Sequence, residues 1–111
     1  MEGFAIALPC LPGGAEKLRA VAAACAGSRR EEFEDFHRRV GLTGERWFLQ
    51  QTPQGELVIV TLDGDAAGAM KKLGASDHPF DVWFREQVRQ VHGVDFTQPP
   101  VGPPPELVFE G

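Results

Sequence analysis

Three histidines, two tryptophans and a handful of arginines carry most of the chemistry open to this 111-residue chain. They gather most densely in SDHPFDVWFREQVRQVHGVDF (76–96), which holds His78, Trp83, Arg85, Arg89 and His92 among several acids. A free imidazole titrates near neutrality, so each histidine is a candidate acid, base or hydrogen-bond donor. An arginine close to one would suit an anionic group. Trp47 and Trp83, in a chain with eight phenylalanines and no tyrosine, offer flat apolar walls that serve a core or a ligand pocket equally.

Most of 76–96 has a purely structural reading. Pro79 is placed for the first helical position, with His78 at the N-cap and Asp81 in the first turn, where a carboxylate suits the helix dipole. Phe80, Trp83, Phe84, Val88 and Val91 fall on one helical stripe, and Gly93 follows as the C′ residue. Asp81 and Arg85 are four apart, and Glu86 and Arg89 three apart, as local ion pairs require. His92 sits beside the negative end of the dipole as a cation or donor.

What this leaves over defines the candidate site. His37 falls on the apolar stripe Phe33, Phe36, His37, Val40, as either a satisfied core histidine or a half-buried acid–base group. His78 stands where serine, aspartate or asparagine would cap better, with Ser76 and Asp77 beside it. It either caps or is there for a partner. His37 and His78 are therefore the catalytic candidates, with Trp47 and Trp83 as walls and Arg85 as an anion partner.

Several chemistries are set aside. No cysteine–histidine spacing suits zinc, and there is no HExxH, phosphate loop, dinucleotide fingerprint or GxSxG elbow. Haem ligation by His37, His78 or His92 has no attachment motif in support. No metal and no cofactor are expected. A net charge of −5 argues against nucleic acid and anionic membranes. The start MEGFAIALPCLPGG is a poor signal peptide, and no stretch reaches the length of a membrane span. Cys10 and Cys25 read as buried thiols more readily than as a disulfide, which points to the cytoplasm.

The length fits one domain, residues 1–111. GFAIALPCL alternates Phe4, Ile6 and Leu8 against small residues, as a strand does. Ala15, Leu18, Val21, Ala22 and Cys25 have helical spacing. Ser28 followed by Glu31 fits a capping box for a new or kinked helix ending at Gly41. ERWFLQQT, TPQG and ELVIVTLDG form a β-hairpin over 45–64. A short helix or loop-helix follows over 65–76, then the helix of 79–92. Residues 97–105 are a proline-rich connection, and ELVF (106–109) reads as a last strand. The order β-α-β-β-α-β predicts an α+β, ferredoxin-like domain with a four-stranded antiparallel sheet and helices on one face. With Phe4, Ile6 and Leu8 on one sheet face and Phe48, Val58 and Val60 or their neighbours on the other, the bare face predicts a homodimer.

The block SDHPFDVWFREQVRQVHGVDF, the hairpin ERWFLQQTPQGELVIVTL and the tail PPPELVFE, in this order of elements, resemble the dimeric α/β-barrel superfamily. That group includes antibiotic-biosynthesis-type monooxygenases and muconolactone isomerases, and within it the chain is most similar to small bacterial proteins of unassigned function. The resemblance covers nearly the whole chain in architecture. It implies two sheets facing across a dimer and a small hydrophobic molecule held between sheet and helices. It carries over no catalytic residue, because no enzyme motif matches. The proline tail departs from the minimal form and could wrap the partner subunit. Two functions follow: an enzyme or carrier for an apolar, cyclic or aromatic compound, or a non-catalytic dimeric module with no ligand pocket.

Overall fold

The computed structural model describes residues 3–100 and 102–111. Seven elements follow one another: β1 (Gly3–Pro9), α1 (Gly14–Ala26), α2 (Arg30–Val40), β2 (Leu42–Thr52), β3 (Gly55–Gly64), α3 (Ala66–Ala75) and α4 (Pro79–His92). The sheet has three strands in the order β1-β3-β2. Both neighbours run antiparallel to the central β3, so β1 and β2 are parallel to each other with β3 between them. This is a split βαβ unit with two helices in its crossover.

The expected four-stranded ferredoxin-like sheet is thus corrected to three strands and four helices. Residues 103–111 hold no strand, and Leu107, Val108 and Phe109 are 61%, 86% and 81% exposed. Three consecutive prolines, Pro103 to Pro105, precede them; proline lacks the amide that a sheet ladder needs and stiffens the approach. Over 97–100 and 102–105 the proline-rich stretch holds no helix or strand, as expected, but it opens on a turn, the Gln98 amide donating to the Asp95 carbonyl at 3.1 Å, instead of running extended throughout; Val101 lies outside the described residues.

Register fixes the faces. Ile6 lies opposite Val60, which lies opposite Trp47; Leu8, Val58 and Leu49 form the next row, and Phe4, Leu62 and Glu45 the row on the other side. Val58 and Val60 therefore share the helix-covered face with Ile6 and Leu8, which corrects the division of faces expected from the sequence. The bare face carries Ala5, Ala7, Leu57, Ile59 and Phe48. A slip of one residue would exchange the two sets.

The helices end where their residues predict. Gly41 and Gly93 adopt left-handed conformations at the ends of α2 and α4, closing onto His37 and Arg89. Asp65 caps α3 by accepting from the Gly68 amide at 3.0 Å. The Ser28–Glu31 capping box does not form, however: Arg29 is the N-cap of α2 and no side chain caps it.

Between sheet and helices, Phe36, Phe80 and Phe84 are buried, with Phe33 and the two tryptophans packed around them. The Phe80 and Phe84 rings stack with centroids 5.7 Å apart. Burying each such ring contributes about 1.5–3 kcal/mol. Beside this cluster, Arg39 of α2 holds the fully buried Asp81 of α4 with two hydrogen bonds of 2.8 and 2.9 Å, and reaches Asp35 at 2.7 Å. Asp81 does not pair with Arg85, as its spacing suggested. Burial pushes the Asp81 carboxyl up, but the Arg39 guanidinium together with Ser76 outweighs burial and holds it below its ordinary value.

Removing one partner of such a pair strands a buried charge, so Arg39→Met is expected to cost about 3–5 kcal/mol in urea unfolding. A group whose folded pKa is depressed stabilises above its unfolded value, about 3.9 for aspartate, and loses that contribution as pH falls through the folded value. Left without Arg39, the buried Asp81 carboxyl is pushed up and takes a proton in the folded variant, so the gap between wild type and Arg39→Met should narrow steadily as pH falls from about 7 to about 4. A gap that widens in acid would show that the bridge is not what holds Asp81.

Candidate functional site

Glu45 is the residue on which the site turns. It occupies a helix-facing position of β2, in register with Leu62 and Phe4, where the alternation calls for an apolar side chain. Its side chain is 8% exposed. A carboxylate there is tolerable only if donors satisfy it. His37 Nε2 lies 2.9 Å from one oxygen, and Trp47 Nε1–H donates to the other at 2.6 Å. With Nε2 donating, the His37 Nδ1 has no hydrogen-bond partner among the described residues. The His37 ring packs on Phe33 with centroids 4.4 Å apart.

The strand and helix that supply this triad are placed by ordinary means. His37 lies on the apolar stripe of α2, one turn before the Gly41 cap, and Glu45 and Trp47 follow on alternate positions of the strand that Gly41 leads into. The short α2–β2 connection thus brings residues eight apart into contact.

Glu45 and Trp47 line two spaces. One is a partly enclosed cavity of about 100 Å³ between sheet and helices. Its walls are chiefly apolar, from Val58 and Val60 of the sheet, Met70 and Leu73 of α3, Phe84 and Val88 of α4, and Phe96 beyond α4. The other is an open cleft of about 300 Å³ reached past Ala22, Cys25 and Phe33. Gly74 lets Phe96 take its place: a Cβ on Gly74 would collide with the Phe96 carbonyl oxygen.

Among the five residues singled out from sequence, the structure brings His37 and Trp47 together and leaves the others apart. Trp47 is a cavity wall. His37 reaches the cavity only through Glu45. His78 is the N-cap of α4, its Nδ1 accepting from the Phe80 amide at 3.3 Å, so its ring is spent on the helix. Arg85 donates to the carbonyls of Leu73 and Ser76 at 2.7 and 2.6 Å and seals the end of α3 instead of meeting an anion. Trp83 stacks under the Arg29 guanidinium, 4.1 Å from its ring centre, away from the cavity.

Three wall residues escape a reading by motif. Glu45 is marked only by being a charge on the Trp47 face of the strand, where the alternation calls for an apolar residue. Gln87 lies on the buried stripe of α4 between Phe84 and Val91. His92 donates from Nδ1 to the Pro9 carbonyl at 2.8 Å, tying α4 to β1; burial pushes its pKa down, so of the two roles expected at the helix end, cation or donor, it takes the donor's.

Cys10 and Cys25 are free thiols. Burial, and less so the Glu45 charge, raises Cys25 to about 11, which makes it unreactive at neutral pH. Among the described residues no group of three metal-ligating side chains converges, and no helix is long and apolar enough to cross a membrane. Neither a family model, nor a curated protein, nor a solved structure matches this chain.

Removing the His37 imidazole takes one donor from the buried Glu45. His37→Ala should cost about 1–3 kcal/mol in urea unfolding at pH 7. A loss under about 0.5 kcal/mol would mean that Glu45 does not depend on His37.

Proposed function

We propose that this protein binds a small, largely apolar cyclic molecule in the cavity between sheet and helices, beside the Glu45–His37–Trp47 triad. The observation that carries this reading is the cavity itself, about 100 Å³ of space in an apolar wall with a buried carboxylate at its edge. Apolar pockets with a few fixed polar groups are the usual form of a small-molecule site. Glu45 satisfied by two donors is a rigid feature and not a strained one, which suits recognition. His37 stands behind Glu45 as a positioning residue. The free thiols support a reducing compartment such as the cytoplasm. As to kinship, the split βαβ unit supports the resemblance to the dimeric α/β-barrel group, and the lack of a fourth strand among the described residues weighs against it.

Trp83→Phe leaves Trp47 as the sole tryptophan, and its emission should shift saturably on titration with small aromatic probes. Ala69→Met, which fills the cavity from α3, should abolish the shift while the variant stays folded. A shift unaffected by filling the cavity would sink this reading.

We also propose that a second copy of the chain covers the bare sheet face. Supporting this, Phe48 is 50% exposed there, in register with Ile59 and on the same face as Leu57. Apolar surface gathered in this way marks an association site. Light scattering after size exclusion should give a dimer mass for the wild type and a monomer mass for Phe48→Glu/Ile59→Lys. A monomeric wild type at high micromolar concentration rules the dimer out.

A further inference from the structure

The cavity wall contains a polar side chain that no described residue engages. Gln87 is only 8% exposed, faces inward from α4 between Phe84 and Val91, and lines the cavity. Its amide has two donors and an acceptor with two lone pairs, yet it forms no hydrogen bond with any described residue. Among those residues no fully enclosed side-chain nitrogen or oxygen lacks a partner. The Gln87 amide therefore retains contact with open space, and the cavity is the space it lines.

An amide with no protein partner at the edge of an apolar cavity is met only by water or by a ligand in that space. A shape-filling leucine or methionine at position 87 would suit an apolar cavity better. From this we infer that Gln87 is the hydrogen-bonding anchor for the ligand, and that the ligand is an uncharged ring compound bearing a hydroxyl or carbonyl group. This rests on the reading of the cavity as a ligand site and adds to it the polar chemistry of the occupant.

The rest of the wall agrees with a neutral ligand. Glu45 disfavours an anion, and both its oxygens are already engaged by His37 and Trp47. No lysine or arginine lines the cavity. His92, the remaining polar wall residue, donates from Nδ1 to Pro9, which leaves its Nε2 as an uncharged acceptor. The cavity is smaller than the roughly 150 Å³ that holds benzene in an engineered protein core, so a single ring is the upper limit, seated with one edge toward the opening.

The test compares four ring probes on the full chain by ligand-observed NMR and calorimetry: phenol, its apolar isostere toluene, benzoate and benzylammonium. Wild type should bind phenol more tightly than toluene, and bind neither ion. Gln87→Leu should weaken phenol about tenfold and leave toluene unchanged or tighter, reversing the order. If no probe binds, the cavity is not a ligand site and both readings fall. If phenol and toluene bind but toluene is preferred by wild type, the cavity reading stands and the Gln87 inference is overturned. Preference for benzylammonium overturns it as well, because Glu45 would then be reading charge. Should Gln87→Leu fail to fold, Gln87→Met provides a second apolar replacement, and a phenol preference that survives it overturns the inference by placing the anchor elsewhere in the wall.

Discussion

The Arg39–Asp81 bridge sets the relation of α2 to α4, and the remainder of the site depends on that relation. Asp81 is completely buried at the start of α4, and a lone carboxylate there would not remain charged. Arg39 answers it with a planar fork whose two nitrogens meet its two oxygens, while the third side of the guanidinium is held by Asp35 on its own helix. This geometry admits one rotation of α2 against α4. The same rotation aims Phe33, Phe36 and His37 inward from α2 and Phe80, Phe84 and Gln87 inward from α4. Replacing the pair by apolar residues could keep the stability but would relax the angle at which the two inward faces meet.

Glu45 extends that logic to the sheet. A carboxylate on the helix-covered face of β2 has to be paid for by donors, and they come from two directions: His37 on α2 and Trp47 two positions along the same strand. The result locks an aromatic wall, a helix and a strand together at the rim of the cavity. Apolar packing alone would favour a leucine at this position, in register with Leu62 and Phe4. The charge is thus a local departure from the pattern that otherwise builds the fold, and such departures are where functional constraint is to be sought.

Much of the fold was legible because the strongest signals are local. The hairpin, the Gly41 and Gly93 stops, the break between the first two helices and the cap at His78–Pro79 all follow from periodicity and turn chemistry within a few residues. ELVF misled because alternation and β-propensity say nothing about whether a partner strand is within reach, and the prolines before it decide that. The site was half legible. His37 and Trp47 stood out by type, but Arg85 and Trp83 read as ligand contacts until their tertiary partners, the end of α3 and Arg29, claimed them. Asp81 read as a dipole and i,i+4 residue, since its partner lies 42 positions away. Glu45 and Gln87 were overlooked for a shared reason: each looks ordinary until the face it occupies is known.

The cavity itself follows from the architecture. Four helices cover a sheet of only three strands, and the tail that would add a fourth lies exposed instead of covering the outer edge of β1. Interiors are normally packed to the density of organic crystals, so space beside Trp47 and Phe84 needs a cause. Rigid struts provide one: the Glu45 triad at one end, the His92–Pro9 hydrogen bond at the other, and the Arg39–Asp81 bridge across the helices prevent the walls from collapsing onto one another. Those struts are polar and directional, whereas the walls between them are apolar and compliant. A protein concerned with stability alone would have filled the gap with methylenes; here the frame is stiff around a space that keeps an unspent amide in its wall.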